Sequence, residues 1–326
     1  MEITFKSVTA DKANGYAHSH LNLMRYLKEY GYELKKDDQL RDWGMVYTVP
    51  ANYKHLNSTN KICFTMFETD HLPDSWVDWL NKFDLVLTPT AWGKAVFRSC
   101  GVKSKVCNLG IEHDLFKPVM RREKEKFVFI HYDCGGWRKG FDIMLNAFKK
   151  AFKKDEPVEL WMKTVYDKNL FPLTEYPNAK WIKGIYDRSK LPQLLYKADC
   201  FVFPTRGEGF GHTPLEAMAT GLPCIVPNAT GISEYFNPKY FYDIKTHTQR
   251  AKYDFIKEET GYFREPDVDD LAEKMRHVYN NKVEAYRRGF LGAGWVLRYW
   301  TYKRTAFQFN KIFSNYVGNK SQREAG

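Results

Sequence analysis

Two glutamates, Glu208 and Glu216, stand on either side of a glycine-rich turn in FVFPTRGEGFGHTPLEAMATGLPCIVPN, residues 201–228. Gly207, Gly209 and Gly211 alternate around Glu208 and Phe210. The apolar run Phe201-Val202-Phe203 reads as a strand closed by Pro204. A helix is predicted from near Pro214, carrying Leu215, Ala217, Met218 and Ala219. Gly221-Leu222-Pro223 should stop it, since glycine suits the C-terminal cap and proline cannot continue the helix. Cys224-Ile225-Val226 is the next strand. A strand, a glycine loop and a helix start together present backbone N–H groups to an anion. Here Gly209, Phe210, Gly211, His212 and Thr213 would supply them. A carboxylate repels a phosphate but accepts hydrogen bonds from hydroxyls, as an acidic residue does on a ribose. Two carboxylates around one phosphate cradle suit a nucleotide-sugar, with one on the ribose and one on the sugar. Each glutamate alone reads more readily as a helix-start or solvated loop acid. The pair in this glycine frame does not.

A second turn of the same kind follows the apolar run Phe127-Val128-Phe129-Ile130-His131. It reads Asp133-Cys134-Gly135-Gly136-Trp137-Arg138-Lys139-Gly140, and a helix with Ile143, Leu145, Ala147 and Phe148 comes next. Arg138 and Lys139 at that helix start make a second phosphate site. In the N-terminal part, a strand over residues 61–67 runs into Glu68-Thr69-Asp70-His71. Polar residues at the C-terminal end of such a strand point into the ligand crevice of an α/β sheet. Glu68 and His71 are therefore candidates for contacting a second substrate or handling its proton. His71 has a suitable intrinsic pKa, though a lone histidine is as often structural.

Glu208-Gly209-Phe210-Gly211 and Pro214-Leu215-Glu216-Ala217 resemble the Glu-x7-Glu signature of the retaining glycosyltransferases of family 4. The resemblance implies the GT-B fold, an α/β architecture of two Rossmann-like domains facing across a cleft. His212 occupies a place that is usually apolar or small in that signature. Lys139-Gly140 matches the family's lysine before a glycine on the donor diphosphate. At the family's arginine position stand Tyr132 or Asp133, which leaves Arg138 as the candidate substitute or as a solvated cation. Gly184 and Ile185 resemble the loop that meets the nucleobase through its backbone. Gly15 resembles the glycine loop after the first strand, without its usual second glycine. Gly110-Ile111-Glu112 to Phe116-Lys117-Pro118 resembles the end of the family's N-terminal domain. The activity implied is transfer of a sugar, with retention, from a uridine or guanosine diphosphate sugar to an acceptor hydroxyl. Glu208 would hold the sugar hydroxyls and Glu216 the ribose. The diphosphate would help deprotonate the acceptor, and neither a metal nor a separate cofactor is expected. The pair Asp267 and Asp269 reads as helix-start acids rather than as metal ligands.

These elements need two domains, and 326 residues suffice for two cores. The expected division is an acceptor-side domain over residues 1–118, a charged linker over 119–126, and a donor-side domain over 127–284. A basic, aromatic C-terminal helix over 285–326 would cross back to the first domain. No run of this chain approaches the roughly 18 apolar residues of a membrane span. The six cysteines lack a C-x-x-C spacing and are expected to be reduced thiols, mostly buried, in a cytoplasmic protein. With 50 basic against 39 acidic residues, the formal charge is +11. That excess favours a polyanionic acceptor or surface: an anionic membrane, a lipid-linked glycan, or DNA. The leading expectation is a glycan or lipid-linked saccharide acceptor. Alternatives are glycosylation of hydroxymethylated bases in DNA, an epimerase-like use of the same donor, and a non-catalytic basic module on this fold. The last is disfavoured because both glutamates and Lys139 are present.

Overall fold

The computed structural model describes residues 1–7, 15–166, 171–173, 176–184, 187–253 and 256–324. It divides into two compact units. The first comprises residues 1–110, 251–261 and 300–326, and the second 111–250 and 262–299.

In the first unit the chain runs β1 (Glu2–Ser7), α1 (Gly15–Leu27), β2 (Glu33–Lys35), β3 (Arg41–Tyr47), β4 (Ser58–Phe64), α2 (Asp74–Leu80), β5 (Leu85–Thr88), α3 (Ala91–Ser99) and β6 (Lys105–Val106). The sheet is parallel throughout, in the order β2-β1-β3-β4-β5-β6. Its central strands are buried runs such as Leu85–Thr88, as a sheet covered on both faces requires. Thr90 caps α3 by accepting the Gly93 N–H at 2.9 Å.

In the second unit it runs β7 (Phe127–Tyr132), α4 (Phe141–Ala151), β8 (Val158–Lys163), β9 (Ala179–Ile182), α5 (Leu191–Tyr196), β10 (Cys200–Val202), α6 (His212–Ala219), β11 (Cys224–Val226), β12 (Phe241–Asp243), β13 (Thr246–Arg250), β14 (Tyr262–Pro266), α7 (Val268–Asn280) and α8 (Lys282–Tyr299). The main sheet is again parallel, in the order β12-β11-β10-β7-β8-β9. Counted within the unit this is 3-2-1-4-5-6 read from the other edge, the doubly wound order whose switch point lies between the first and fourth strands. Those strands are β7 and β10, and the two glycine turns leave their C-terminal ends. α4, α7 and β8 close a core around Phe129, Phe148, Leu160 and Met275. α9 (Tyr302–Glu324) returns to the first unit.

Three details differ from the expectations. The C-terminal segment is two helices, α8 and α9, broken at Trp300-Thr301. Thr301 acts as a cap, its Oγ1 accepting the Arg304 N–H at 3.4 Å. A Cβ on Gly110 would lie 2.1 Å from the Thr301 carbonyl carbon, so the break is seated against bare backbone. The chain passes between units at Gly110-Ile111 rather than within residues 119–126. Those residues lie along the second unit, where Arg121 donates to the Ala198 carbonyl at 2.8 Å and Lys124 to that of Lys197 at 2.8 Å. Their charge serves the carbonyl ends of short helices. β13 and β14 form an antiparallel pair that the pattern did not reveal. No helix among the described residues is long and apolar enough to cross a membrane.

Candidate active site

The loops after β7 and β10 touch backbone to backbone. Gly140 has φ +71°, and a Cβ there would lie 1.9 Å from the Pro204 carbonyl oxygen. A third loop, after β11, packs beneath: Gly231 donates to the Glu208 carbonyl at 2.7 Å, and a Cβ on it would meet Gly209 at 2.4 Å. Thr230, a β-branched residue, sits at φ 50°. It is held there while its hydroxyl accepts the Glu208 N–H at 3.1 Å. Strain of this kind persists only where the surroundings enforce it.

Glu208 is buried, and its described hydrogen bonds all fall on Oε1. Lys139 Nζ donates at 2.7 Å, Thr205 Oγ1 at 2.9 Å and Arg138 Nη1 at 3.0 Å. Oε2 has no hydrogen-bond partner among the described residues. Lys139 is buried and shared with Asp133 Oδ2 at 3.1 Å. Burial opposes its charge, but Asp133 and Glu208 together hold the ammonium above its usual range. Burial likewise works against the Asp133 carboxylate, which Lys139 and the Cys134 thiol nevertheless keep below the ordinary value. Arg138 also donates to the Gly207 carbonyl. The two cations expected at a diphosphate are thus side by side at Glu208.

Glu216 is the fifth of the eight residues of α6 and is almost fully buried. Its Oε2 accepts the Tyr132 hydroxyl and its Oε1 the Arg188 guanidinium. Burial would raise its pKa. Arg188 first, then His212 and Tyr132, outweigh this and lower it. Gly211 has φ +84°, and its carbonyl accepts the Tyr235 hydroxyl at 2.7 Å. The Phe210 side chain is fully buried against Tyr235, so only its backbone is available to a ligand. His212 packs edge-on to Phe210, and Thr213 Oγ1 is buried with no partner among the described residues. Gly184 has φ +87°, and its carbonyl accepts Lys163 Nζ at 2.9 Å. Ile185 lies outside the described residues.

The remaining candidates belong to the first unit. Glu68 accepts the Tyr253 hydroxyl at 3.1 Å. His71 is exposed, with Nδ1 3.6 Å from Cys100 Sγ. Both follow β4, whereas that sheet reverses direction of growth between β1 and β3. Gly15 opens α1.

Four residues of the second unit's site were not singled out from the sequence. Arg188 reaches Glu216 from a distant segment, and Glu112 holds Arg188 from another. Lys163 supports Gly184. Arg206, buried between the two turns, donates to Asp142 at 2.7 Å and Glu265 at 2.9 Å, and lies 3.8 Å over the Trp137 ring. A basic residue just before the glycine motif was the available signal for Arg206.

Comparison with known proteins gives a match to the model of the family "Glycosyl transferases group 1" over residues 113–289, more than half of the chain. The sulfoquinovosyl transferase SQD2 of Arabidopsis thaliana is 26% identical over 219 residues, 61% of this chain and 38% of that protein. The lipopolysaccharide core biosynthesis mannosyltransferase LpsB of Rhizobium meliloti is 50% identical over 44 residues, 14% of this chain and 12% of that protein. The chain thus spans well under half the length of these curated relatives. Among solved structures, Alr3699/HepE of Anabaena, in complex with UDP and glucose, superposes with a TM-score of 0.70 at 13% identity. The superposition covers 97% of this chain and all of that one, and it speaks for the fold. With two parallel six-stranded sheets of GT-B type and a family match over the switch-point loops, this chain belongs to the group 1 glycosyl transferases.

Proposed function

We propose that this protein is a retaining, family-4-type hexosyltransferase. It would move a sugar from a nucleoside diphosphate donor to a hydroxyl of a glycan or lipid-linked saccharide. The observation that carries the reading is the sharing of Lys139 between Glu208 and Asp133 at the switch point, with Arg138 beside it. The leaving diphosphate gains charge as the glycosidic bond breaks. Lys139, Arg138 and the N–H groups of Gly211–Thr213 would meet that charge, with no metal ion needed. Glu208 presents Oε2 to sugar hydroxyls while Oε1 stays anchored. Glu216 takes the ribose. The diphosphate itself removes the acceptor proton as the new bond forms on the same face. Glu68 and His71 remain the candidates for acceptor contact. The printed name of LpsB, a lipopolysaccharide core biosynthesis mannosyltransferase, supports a lipid-linked or polysaccharide acceptor, and the charge of +11 suits an anionic surface.

The test is a transfer assay with radiolabelled nucleotide-sugars, offered a membrane-lipid extract, hydroxymethylated duplex DNA, or no acceptor. Label in lipid, with the donor's anomeric configuration kept in the product, is the expected result. Glu208→Gln should abolish most of it while the protein still folds and melts cooperatively, at a lower midpoint because Lys139 loses a buried counter-charge. Label in DNA would move the acceptor to a nucleic-acid base. An isomerised donor, or full activity in Glu208→Gln, would overturn the reading.

A further inference from the structure

One guanidinium in the second unit lies between two carboxylates from separate parts of the chain. Arg188 opens the short turn Arg188–Lys190 before α5. Its Nη2 donates to Glu216 Oε1 and its Nε to Glu112 Oε2. The guanidinium lies 5.3 Å from the Phe116 ring centroid. Glu112 and Phe116 come from one tight turn, in which the Phe116 N–H donates to the Glu112 carbonyl at 3.0 Å. Arg188 is therefore braced from behind before it reaches Glu216.

The other oxygen of Glu216 takes the Tyr132 hydroxyl from the end of β7. Each carboxylate oxygen is thus engaged by a donor from a different element. A carboxylate oxygen has about two acceptor sites, so each oxygen keeps room for one more hydroxyl. The two braces fix the plane of the carboxylate. Without a cation, a carboxylate buried this deeply would take up a proton, and one oxygen would become a donor. A vicinal diol needs two acceptors in a fixed plane.

We infer that Arg188 is a positioning residue for ribose recognition. Braced by Glu112 and Phe116, it holds Glu216 as an oriented, ionised acceptor for the 2′- and 3′-hydroxyls of the donor nucleotide. This rests on the reading of Glu216 as the ribose ligand.

The test compares binding of uridine and guanosine diphosphates with their 2′-deoxy counterparts, by calorimetry on the whole protein. The variants are Arg188→Lys, Arg188→Gln, Glu112→Gln and Glu216→Gln, each checked by thermal melt. The native protein should prefer the ribonucleotide. Arg188→Lys and Arg188→Gln should lose that preference, by roughly tenfold for a charge-assisted hydrogen bond, with binding of the deoxy compound little changed. Glu112→Gln keeps the Arg188–Glu216 contact and should lose part of it. In Arg188→Gln the remaining preference should fall further from neutral to mildly acidic pH, as Glu216 takes up a proton; in the native protein it should not. Equal weakening of both nucleotides would mean that Arg188 meets the diphosphate directly, and would overturn the inference. Preference kept in the Arg188 variants but lost in Glu216→Gln would also overturn it, leaving the ribose reading intact. Preference kept in Glu216→Gln would remove that reading itself.

Discussion

His131 shows how a residue inside the second unit's sheet can report on the fold without belonging to the candidate site. It ends the apolar run of β7 and is fully buried, with its Nδ1–H donated to the Val202 carbonyl at 2.9 Å. Burial lowers its pKa to about 4, against the pull of Asp133 in the opposite direction. Below an unfolded value of about 6.5 the unfolded chain binds the proton and the fold does not. Stability from this group is therefore complete above that value and is lost as pH falls toward 4. Between about pH 7.5 and 5 the loss should be roughly 2 kcal/mol. Urea denaturation of the native protein and of His131→Gln at both pH values checks this, because the variant should lose much of the pH dependence. Equal dependence in both would reject the assignment. The residues of the site divide by distance along the chain. Glu208, Glu216, Lys139 and the glycines were legible because spacing within one turn carries their meaning. Arg188 was not, since it meets partners 28 and 76 residues away. No local pattern marks an arginine as the brace of a remote glutamate.

The turn after β7 does its positioning through two glycines that are not equivalent. Gly136 has φ +91° with open space around its missing Cβ. An alanine there meets only backbone strain, about 1 to 3 kcal/mol. Gly140 adds to its own strain a contact with the Pro204 backbone that no rotamer change relieves. Gly140→Ala should cost a further 1 to 3 kcal/mol, approximately, by overpacking. It should also pull Lys139 away from Glu208. The thermal midpoint should fall clearly more for Gly140→Ala than for Gly136→Ala, and only the former should weaken donor binding several-fold. Equal effects would show that the two loops tolerate separation. Most strands of both sheets were legible as apolar runs, but the short edge strands β2 and β12 were not. The break between α8 and α9 was not, because Tyr299-Trp300-Thr301 carries neither residue. The β13–β14 pair was hidden for another reason: β13 is polar and has no buried residue, so nothing in its sequence marks it as a partner for β14.

At the scale of the whole molecule, the chain crosses between units at 110/111, 250/251, 261/262 and 299/300. The first unit thus depends on segments far downstream of its sheet. In α9, Phe313 packs edge-on to Trp43 at 4.9 Å and to Tyr32 at 5.6 Å. Tyr32 also donates to Asn310 at 2.8 Å, and the Asn108 N–H to Gln308 at 2.7 Å. Removing residues 300–326 should uncover that aromatic face and lower the melting of the first unit. The second unit should keep its own transition and its nucleotide binding. Limited proteolysis and calorimetry of the truncated chain would show this, and simultaneous collapse of both units would contradict it. A division into two domains and the return of the C-terminal segment to the first were both expected from the sequence, but the crossing of residues 251–261 was not, since nothing local says which unit so short a stretch will join. The threading also sets an order in time. On the ribosome, β1 to β6 emerge first but cannot seal their aromatic face until the segment containing Phe309 and Phe313 has cleared the exit tunnel. The second unit's sheet, made later, has all its parts sooner. The half that is synthesised first is the half that must wait, and it is the half for which a chaperone would have to stand by.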